Sequence, residues 1–173
     1  MQIVGHSNFV KKVVFPLEIL PVVCTISALF NMVISLAVLV VAILILAPAL
    51  HWTMLYFPLV IWPFVIFALG CAWILASLGV FVRDIGQMTA MLSMVLMFLS
   101  PIFYPVTAVP ESFRFWMQLN PLTFIVEEVR KVMLWGSSPD WLGWAIYMAA
   151  AHVFALLGYY WFQKTKKGFA DVL

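Results

Sequence analysis

The side chains that could carry out chemistry in this sequence are few and widely separated. The three histidines, His6, His51 and His152, lie in different segments, and the sequence contains neither a His-Glu-x-x-His zinc motif nor a Gly-x-Ser-x-Gly nucleophile motif. A phosphate-binding P-loop ends in Gly-Lys-Ser or Gly-Lys-Thr, and no Gly-Lys pair occurs in the sequence. We therefore expect no catalytic residue, no metal ligand and no cofactor-binding residue in this chain.

The reactive side chains within the apolar stretches also offer little chemistry. His152 is the only ionisable residue well inside such a stretch, and a lone histidine there is more often a neutral hydrogen-bonding partner than a proton relay. Cys24 and Cys71 are expected to be small packing residues. Ion-driven carriers usually bury carboxylates at mid-membrane, and these stretches contain none. We therefore expect energy for transport to come from a separate partner that binds ATP and Mg²⁺ on the cytoplasmic side.

The composition is that of a membrane protein. Of the 173 residues, 66% are apolar and 9% are charged, and the mean hydropathy is +1.12, which excludes a soluble globular domain. The net charge of +2 comes from scattered lysines and arginines rather than from a basic stripe, so a nucleic-acid partner is excluded. The class indicated is an integral membrane protein in contact with membrane lipids.

Four apolar stretches define the predicted elements. Since a helix rises ~1.5 Å per residue, about twenty residues cross a ~30 Å hydrocarbon layer. The third stretch is short, and it ends in the proline-bracketed segment 100–105. We predict an all-α fold over residues 1–173 with four transmembrane helices, at residues 19–47, 55–82, 88–104 and 141–162.

The segment 106–140 is predicted to contain two short helices. Val109-Pro110-Glu111-Ser112 and Asn120-Pro121 are both typical helix starts, with proline at the first helical position. In the second helix, Glu127 is expected to pair with Arg130 and with Lys131. Its predicted apolar stripe consists of Leu122, Ile125, Val129, Val132 and Met133. Two interpretations stay open, an amphipathic pair resting on the outer membrane face and a lid over a translocation path.

The lysines and arginines of the short loops predict the orientation, because they are retained on the cytoplasmic side. With four spans, both termini share one side. That side carries Lys11, Lys12, Arg83, Lys164, Lys166 and Lys167. The opposite side carries Arg114, Arg130 and Lys131. We therefore expect cytoplasmic termini, a coupling segment at 1–18 and a cytoplasmic tail at 163–173, in the plasma membrane.

Several motifs together resemble one known family. They are the start Asn8-Phe9-Val10-Lys11-Lys12-Val13-Val14-Phe15-Pro16-Leu17-Glu18-Ile19-Leu20-Pro21, the turn Arg83-Asp84-Ile85, the segment Ser100-Pro101-Ile102-Phe103-Tyr104-Pro105, and Asn120-Pro121-Leu122 followed by Arg130. In this order they resemble the permease subunit of ABC transporters that export polysaccharides such as O-antigen, capsule and teichoic acid. The resemblance extends to the Gly168-Phe169-Ala170-Asp171 tail.

The resemblance implies an architecture and a function. Such permeases have six spans, work as a pair of copies with two ATPase subunits, and pass a lipid-linked glycan across the bacterial inner membrane. This chain resembles their C-terminal two thirds. Two other interpretations remain, a related permease that exports a drug or a small lipid, and an intramembrane enzyme that acts on lipid-linked sugars.

The resemblance also assigns roles to particular positions. The ATPase-coupling residues would be Lys11, Lys12, Phe15, Pro16 and Glu18. The second cytoplasmic turn would contain Arg83 and Asp84, and Asp84 is also expected to cap the helix after it. The outer gate would contain Pro101, Phe103, Tyr104, Pro105, Asn120, Pro121 and Arg130. Aromatic rings such as Phe103, Tyr104, Trp62 and Phe67 could stack on sugar rings, although aromatic residues also gather at any membrane interface.

Overall fold

The computed structural model describes residues 16–46, 51–82, 84–118 and 120–169, and those residues form helices and turns without a strand. Short 3₁₀ turns lie at Trp52–Tyr56, Val106–Ala108 and Lys166–Gly168. The helices are α1 (Ile19–Leu46), α2 (Phe57–Phe81), α3 (Ile85–Leu99), α4 (Glu111–Gln118), α5 (Pro121–Met133) and α6 (Trp141–Thr165). The predicted all-α fold is confirmed.

Among the described residues, three segments are long and apolar enough to cross a membrane. They are Ile19–Leu46, Trp52–Phe81 and Trp141–Gly168, of 28, 30 and 28 residues. The described part of the chain thus supports three of the four predicted spans.

The predicted third span, 88–104, is wrong in its bounds. Helix α3 has 15 residues, and it begins at Ile85 and ends at Leu99. Its length of about 22 Å is less than the ~30 Å hydrocarbon layer. The N–H of Ser100 still donates to the carbonyl of Leu96, but Pro101 has no N–H with which to continue the helix, so residues 100–104 form turns and bends.

Helix α1 is exposed or half-buried along almost its whole length. Within the described chain, Pro21 is its one buried residue. Phe30 and Val38 are 67% and 65% exposed, and Ile45 is 74% exposed. Because α1 contains no charged residue, this surface suits contact with lipid or with other membrane helices.

The chain divides into two compact units. The first unit comprises the described parts of 1–50, 65–86 and 149–173. The second unit comprises the described parts of 51–64 and 87–148. Helices α2 and α6 each contribute residues to both units.

In the first unit, α2 and α6 approach closely because small residues face each other. A Cβ added to Gly158 would lie 2.6 Å from the carbonyl oxygen of Gly70, and one added to Gly70 would lie 2.9 Å from the Cα of Ala155. Small residues allow such close backbone approach between membrane helices. Beyond this crossing, Val80, Phe162 and Phe169 form a buried apolar cluster.

In the second unit, the turn before α2 packs against α5 and the loop that follows it. The hydroxyl of Thr53 donates a hydrogen bond to the carbonyl of Val132 at 2.7 Å. Gly136 has a φ of +63°, and a Cβ there would overlap the ring of His51. Trp144 Nε1 donates to the carbonyl of Leu59 at 2.9 Å. These contacts hold the start of α2 next to α5 and the start of α6.

Candidate functional site

The predicted coupling segment is described only at its end. Lys11, Lys12 and Phe15 lie outside the described residues. Pro16 is exposed, and its carbonyl accepts a hydrogen bond from the N–H of Ile19 at 3.0 Å, which starts the first turn of α1. Glu18 directly precedes that helix.

Glu18 contacts both α2 and the end of α6. Its carboxylate lies 3.4 Å from Nζ of Lys166 and accepts a hydrogen bond from Nε2 of Gln163 at 3.3 Å. Its backbone carbonyl accepts a hydrogen bond from Nε1 of Trp73 at 3.2 Å. Gln163 Nε2 also donates to the hydroxyl of Tyr159 at 2.6 Å. We call Glu18, Trp73, Tyr159, Gln163 and Lys166 the Glu18 cluster.

The environment of Glu18 favours its ionised form. Burial of the carboxyl group by itself would raise its pKa. Hydrogen bonds from the backbone and from Gln163, together with the positive charge of Lys166, outweigh that burial, so the pKa of Glu18 lies below its ordinary value of 4.5. A carboxylate at this position is thus a stable negative charge at the start of α1, where the helix dipole also favours it.

The second predicted cytoplasmic turn is partly described. Arg83 lies outside the described residues. Asp84 is exposed and occupies the turn position directly before Ile85, where α3 begins. The N–H of Ile85 donates to the carbonyl of Val82 at 3.3 Å. Capping of α3 by the Asp84 side chain stays a prediction.

The structure brings three predicted outer-gate residues together around the end of α3. Arg130 donates from a guanidinium nitrogen to the carbonyl of Pro101 at 2.7 Å. The amide of Asn120 donates to the hydroxyl of Ser100 at 3.0 Å. Ser100 and Pro101 are both fully buried. The segment that follows α3 is therefore fastened to α5 at two adjacent positions.

Asn120 and Pro121 occupy the predicted helix start. The Asn120 side chain accepts a hydrogen bond from the N–H of Leu122 at 3.0 Å, and Pro121 is the first residue of α5. Proline suits this position because the first N–H groups of a helix have no partner within it. Asn120 therefore both caps α5 and holds Ser100.

The aromatic residues predicted for the gate differ in exposure. Phe103 is 68% exposed. The hydroxyl of Tyr104 donates a hydrogen bond to the carbonyl of Phe98, near the end of α3, at 2.9 Å. Pro105 is exposed. Trp62 is 52% exposed in the second unit. Phe103 and Trp62 have ring faces available, whereas the hydroxyl of Tyr104 already has a partner.

Phe67 and His152 belong to the first unit. Phe67 stacks on Phe154 with ring centroids 4.8 Å apart, so the packing of α2 against α6 occupies it. His152 borders a largely apolar groove of about 350 Å³, whose lining includes Trp73 and Tyr159. Within the described residues, no three or more His, Cys, Asp or Glu side chains lie together as a metal site would require.

Helix α4 presents aromatic side chains on its surface. Phe113, Phe115 and Trp116 are 61–66% exposed, whereas Met117 is buried. The guanidinium of Arg114 donates to the carbonyl of Val109 at 2.8 Å and ties α4 to the turn before it. An exposed aromatic surface on a short amphipathic helix is typical of an element at a membrane interface.

The ion pairs of α5 confirm one sequence prediction and correct another. Arg130 pairs with Glu127, as predicted. Lys131 does not pair with Glu127, because the carboxylate of Glu128 lies nearer and takes its ammonium group. Glu128 also accepts a hydrogen bond from the N–H of Asp140 at 2.9 Å.

Glu128 was missed by the sequence reasoning. It is 2% exposed, and it lies on the same buried face of α5 as Ile125 and Val132. The signal was its spacing, three residues after Ile125 and four before Val132, which places a carboxylate within the apolar stripe. A buried carboxylate needs partners, and Lys131 and Asp140 supply them.

The residues of the Glu18 cluster other than Glu18 were also missed as interaction partners. Gln163 is 145 positions from Glu18 in the sequence, and Trp73 is 55 positions away. No local pattern connects such distant residues.

These observations define an all-helical integral membrane protein, with three segments among the described residues that are long and apolar enough to span a bilayer. The two short amphipathic helices α4 and α5 lie between α3 and α6 in the sequence. The family described as ABC-2 type transporter matches residues 1–134, and the chain belongs to that family. The resemblance stated from the sequence motifs is thereby confirmed.

Curated relatives give a more specific similarity. The chain is 25% identical to an O-antigen export system permease protein RfbA of Klebsiella pneumoniae over 173 residues, which cover 98% of this chain and 66% of that protein. A second Klebsiella pneumoniae protein of that name is 23% identical with the same coverage. A Myxococcus xanthus protein of that name is 26% identical over 137 residues, covering 78% of this chain and 53% of that protein. The chain spans about two thirds of the length of the Klebsiella relatives.

Proposed function

We propose that this chain is the membrane-spanning part of an ATP-driven exporter that moves a lipid-linked polysaccharide of the O-antigen type across the bacterial inner membrane. The observation that carries the proposal is the similarity to O-antigen export permeases along 98% of the chain. Membership of the ABC-2 type transporter family supports the transport role independently of that substrate.

The proposal includes two kinds of protein partner. The segments Ile19–Leu46, Trp52–Phe81 and Trp141–Gly168 contain no Asp or Glu, so they offer no carboxylate for proton or sodium coupling. A separate ATPase subunit would supply the free energy, and it would hold the nucleotide and Mg²⁺. A second copy of the permease would complete the path, and the uncovered surface of α1 is one surface on which membrane helices could pack.

The proposed placement in the membrane follows from the two ends of α6. Trp141 and Trp161 are separated by twenty residues of continuous helix, or about 30 Å, which matches the hydrocarbon thickness. Tryptophan favours both interfaces of a bilayer. With Lys164, Lys166 and Lys167 just beyond Trp161, the positive-inside rule favours a cytoplasmic carboxyl terminus.

The proposed outer gate is the region around the end of α3 and the start of α5. Arg130 and Asn120 hold the segment after α3, and α4 has exposed aromatic residues that would suit a membrane interface. An exposed ring such as Phe103 could contact the C–H faces of sugars as a glycan passes. Neither enzymatic action on lipid-linked sugars nor drug export is favoured by a specific contact among the described residues.

Deletion and complementation in the native host test the proposal. Loss of the gene is expected to remove the surface glycan and to accumulate its lipid-linked precursor inside, and the wild-type gene should reverse both effects. Affinity purification of the tagged protein should recover an ATPase with a P-loop. Replacement of the P-loop lysine of that ATPase should reproduce the deletion phenotype. An intact surface glycan with raised sensitivity to small toxins would contradict the polysaccharide substrate.

A further inference from the structure

We propose that Glu18 is a positioning residue that transmits movement of the coupling segment 1–18 to α2 and α6. The inference rests on the proposed function, because it assumes that an ATPase acts on that segment. It adds a specific route, since Glu18, the last residue of that segment, contacts two other helices of the first unit.

The contacts of the Glu18 cluster form a closed loop. Trp73 donates to the Glu18 carbonyl, and Gln163 donates to the Glu18 carboxylate. Gln163 also donates to Tyr159, whose ring meets the ring of Trp73 edge-on with centroids 5.1 Å apart. Lys166 lies within 3.5 Å of both carboxylate oxygens of Glu18. Every member therefore has contacts that restrict its orientation.

An apolar cluster lies against the same elements. Val80, Phe162 and Phe169 are buried together, and Leu17 and Leu20 pack against them from either side of Glu18. Trp73 packs against this cluster as well as bonding to Glu18. The polar loop and the apolar cluster thus fix the same short segment at the start of α1.

These contacts favour a role in geometry over a large role in stability. The side chains of Glu18 and Lys166 are 25% and 33% exposed, and partly exposed ion pairs contribute little to stability. These contacts contribute more to the relative position of the helices, because the carboxylate joins the start of α1 to two positions near the end of α6. A change in charge at Glu18 should therefore impair transmission more than it impairs folding.

The test uses charge reversal in the intact permease and ATPase complex, reconstituted in vesicles with lipid-linked glycan. The variants are Glu18→Lys, Lys166→Glu and the double variant that exchanges the two charges. Lys164→Glu is the matched control, because Lys164 is exposed and lies only two residues from Lys166. The readouts are protein abundance, ATP hydrolysis and glycan translocated per ATP hydrolysed.

Each single reversal in the Glu18 cluster should lower the glycan translocated per ATP several-fold, while abundance and ATP hydrolysis are kept. The double variant should recover most of the loss, and Lys164→Glu should behave as wild type. A single reversal that translocates as efficiently as wild type would overturn the inference. A loss that the double variant does not recover would overturn it as well.

The wild-type complex separates this inference from the proposed function. If wild type neither binds an ATPase nor translocates glycan, the proposed function fails. If wild type does both and the charge-reversed variants are unaffected, only the role of Glu18 fails.

Discussion

Arg130 donates a hydrogen bond from its guanidinium group to the carbonyl oxygen of Pro101, 29 residues earlier in the chain, at 2.7 Å. The same guanidinium pairs with Glu127 one helical turn away, so its orientation is fixed from its own helix. Pro101 is fully buried directly after α3. Arg130 therefore satisfies a carbonyl group at a position where α3 has ended and cannot supply a helical partner.

Replacement of Arg130 should loosen the segment after α3. Arg130→Lys keeps the charge but removes the planar group that reaches Glu127 and Pro101 together, and we expect it to lower the stability of the folded protein by about 1.5–3 kcal/mol. The measurement is thermal unfolding in nanodiscs, together with limited proteolysis between residues 100 and 110. Lys164→Arg, at an exposed position near the end of α6, serves as the control. Unchanged protease resistance in Arg130→Lys would refute the proposed fastening.

Glu128 should contribute more to the stability of the second unit than its position on a short helix suggests. Glu128→Ala removes the acceptor for the Asp140 N–H and the partner of Lys131, and we expect it to destabilise the second unit by about 1–3 kcal/mol. Glu128→Gln should lose less, because its amide oxygen can still accept from Asp140. The control Glu111→Ala should stay within about 0.5 kcal/mol of wild type. Equal unfolding temperatures for Glu128→Ala and Glu111→Ala would contradict this assignment.

The crossing of α2 and α6 should not accept one additional methyl group. Gly158→Ala would place a Cβ 2.6 Å from the carbonyl oxygen of Gly70, a backbone atom that cannot move without displacing α2. We expect a loss of about 1–3 kcal/mol, typical of overpacking, measured as a lower midpoint of thermal unfolding.

Gly79→Ala provides the matched control on α2. Among the described atoms, none beyond its own helical neighbourhood lies within 4 Å of a Cβ at Gly79, so alanine should be neutral or slightly stabilising there. If both glycine variants unfold at the same temperature, close approach at Gly158 does not limit the packing.

Stability should depend on pH through Glu18. Because its pKa is lowered on folding, the carboxylate stabilises the folded state fully above the unfolded value, near 4.5, and this contribution is lost as the pH falls through the lower folded value. Unfolding temperatures of wild type and Glu18→Gln should therefore differ most above pH 4.5 and converge in stronger acid. A difference that stays constant across this range would show that the charge of Glu18 is not responsible.

Local rules predicted several features correctly. Asn120 was predicted at a helix start, and its side chain accepts from the N–H of Leu122. Glu127 was predicted to pair with Arg130, one turn away. Both predictions needed only the geometry of a single helix, in which residues three or four apart are neighbours.

Other features depended on contacts that no local rule contains. Lys131 was assigned to Glu127, but Glu128 lies on the buried face, where the N–H of Asp140 also holds it. The predicted bounds of the third span were wrong because the apolar stretch continues through Pro101 to Phe103, whereas the helix ends at Leu99. Hydropathy measures composition, whereas the end of a helix depends on its backbone hydrogen bonds.

The sequence by itself determined that this is an all-helical membrane protein, because long uncharged apolar stretches must satisfy their backbone groups within each helix in a bilayer. Its motifs also identified the transporter family. The tertiary structure decided which distant side chains meet, such as Glu18 with Gln163, Asn120 with Ser100 and Arg130 with Pro101. The physical reason is that secondary structure follows from interactions between near neighbours in the chain, whereas these partnerships exist only after packing brings separate helices together.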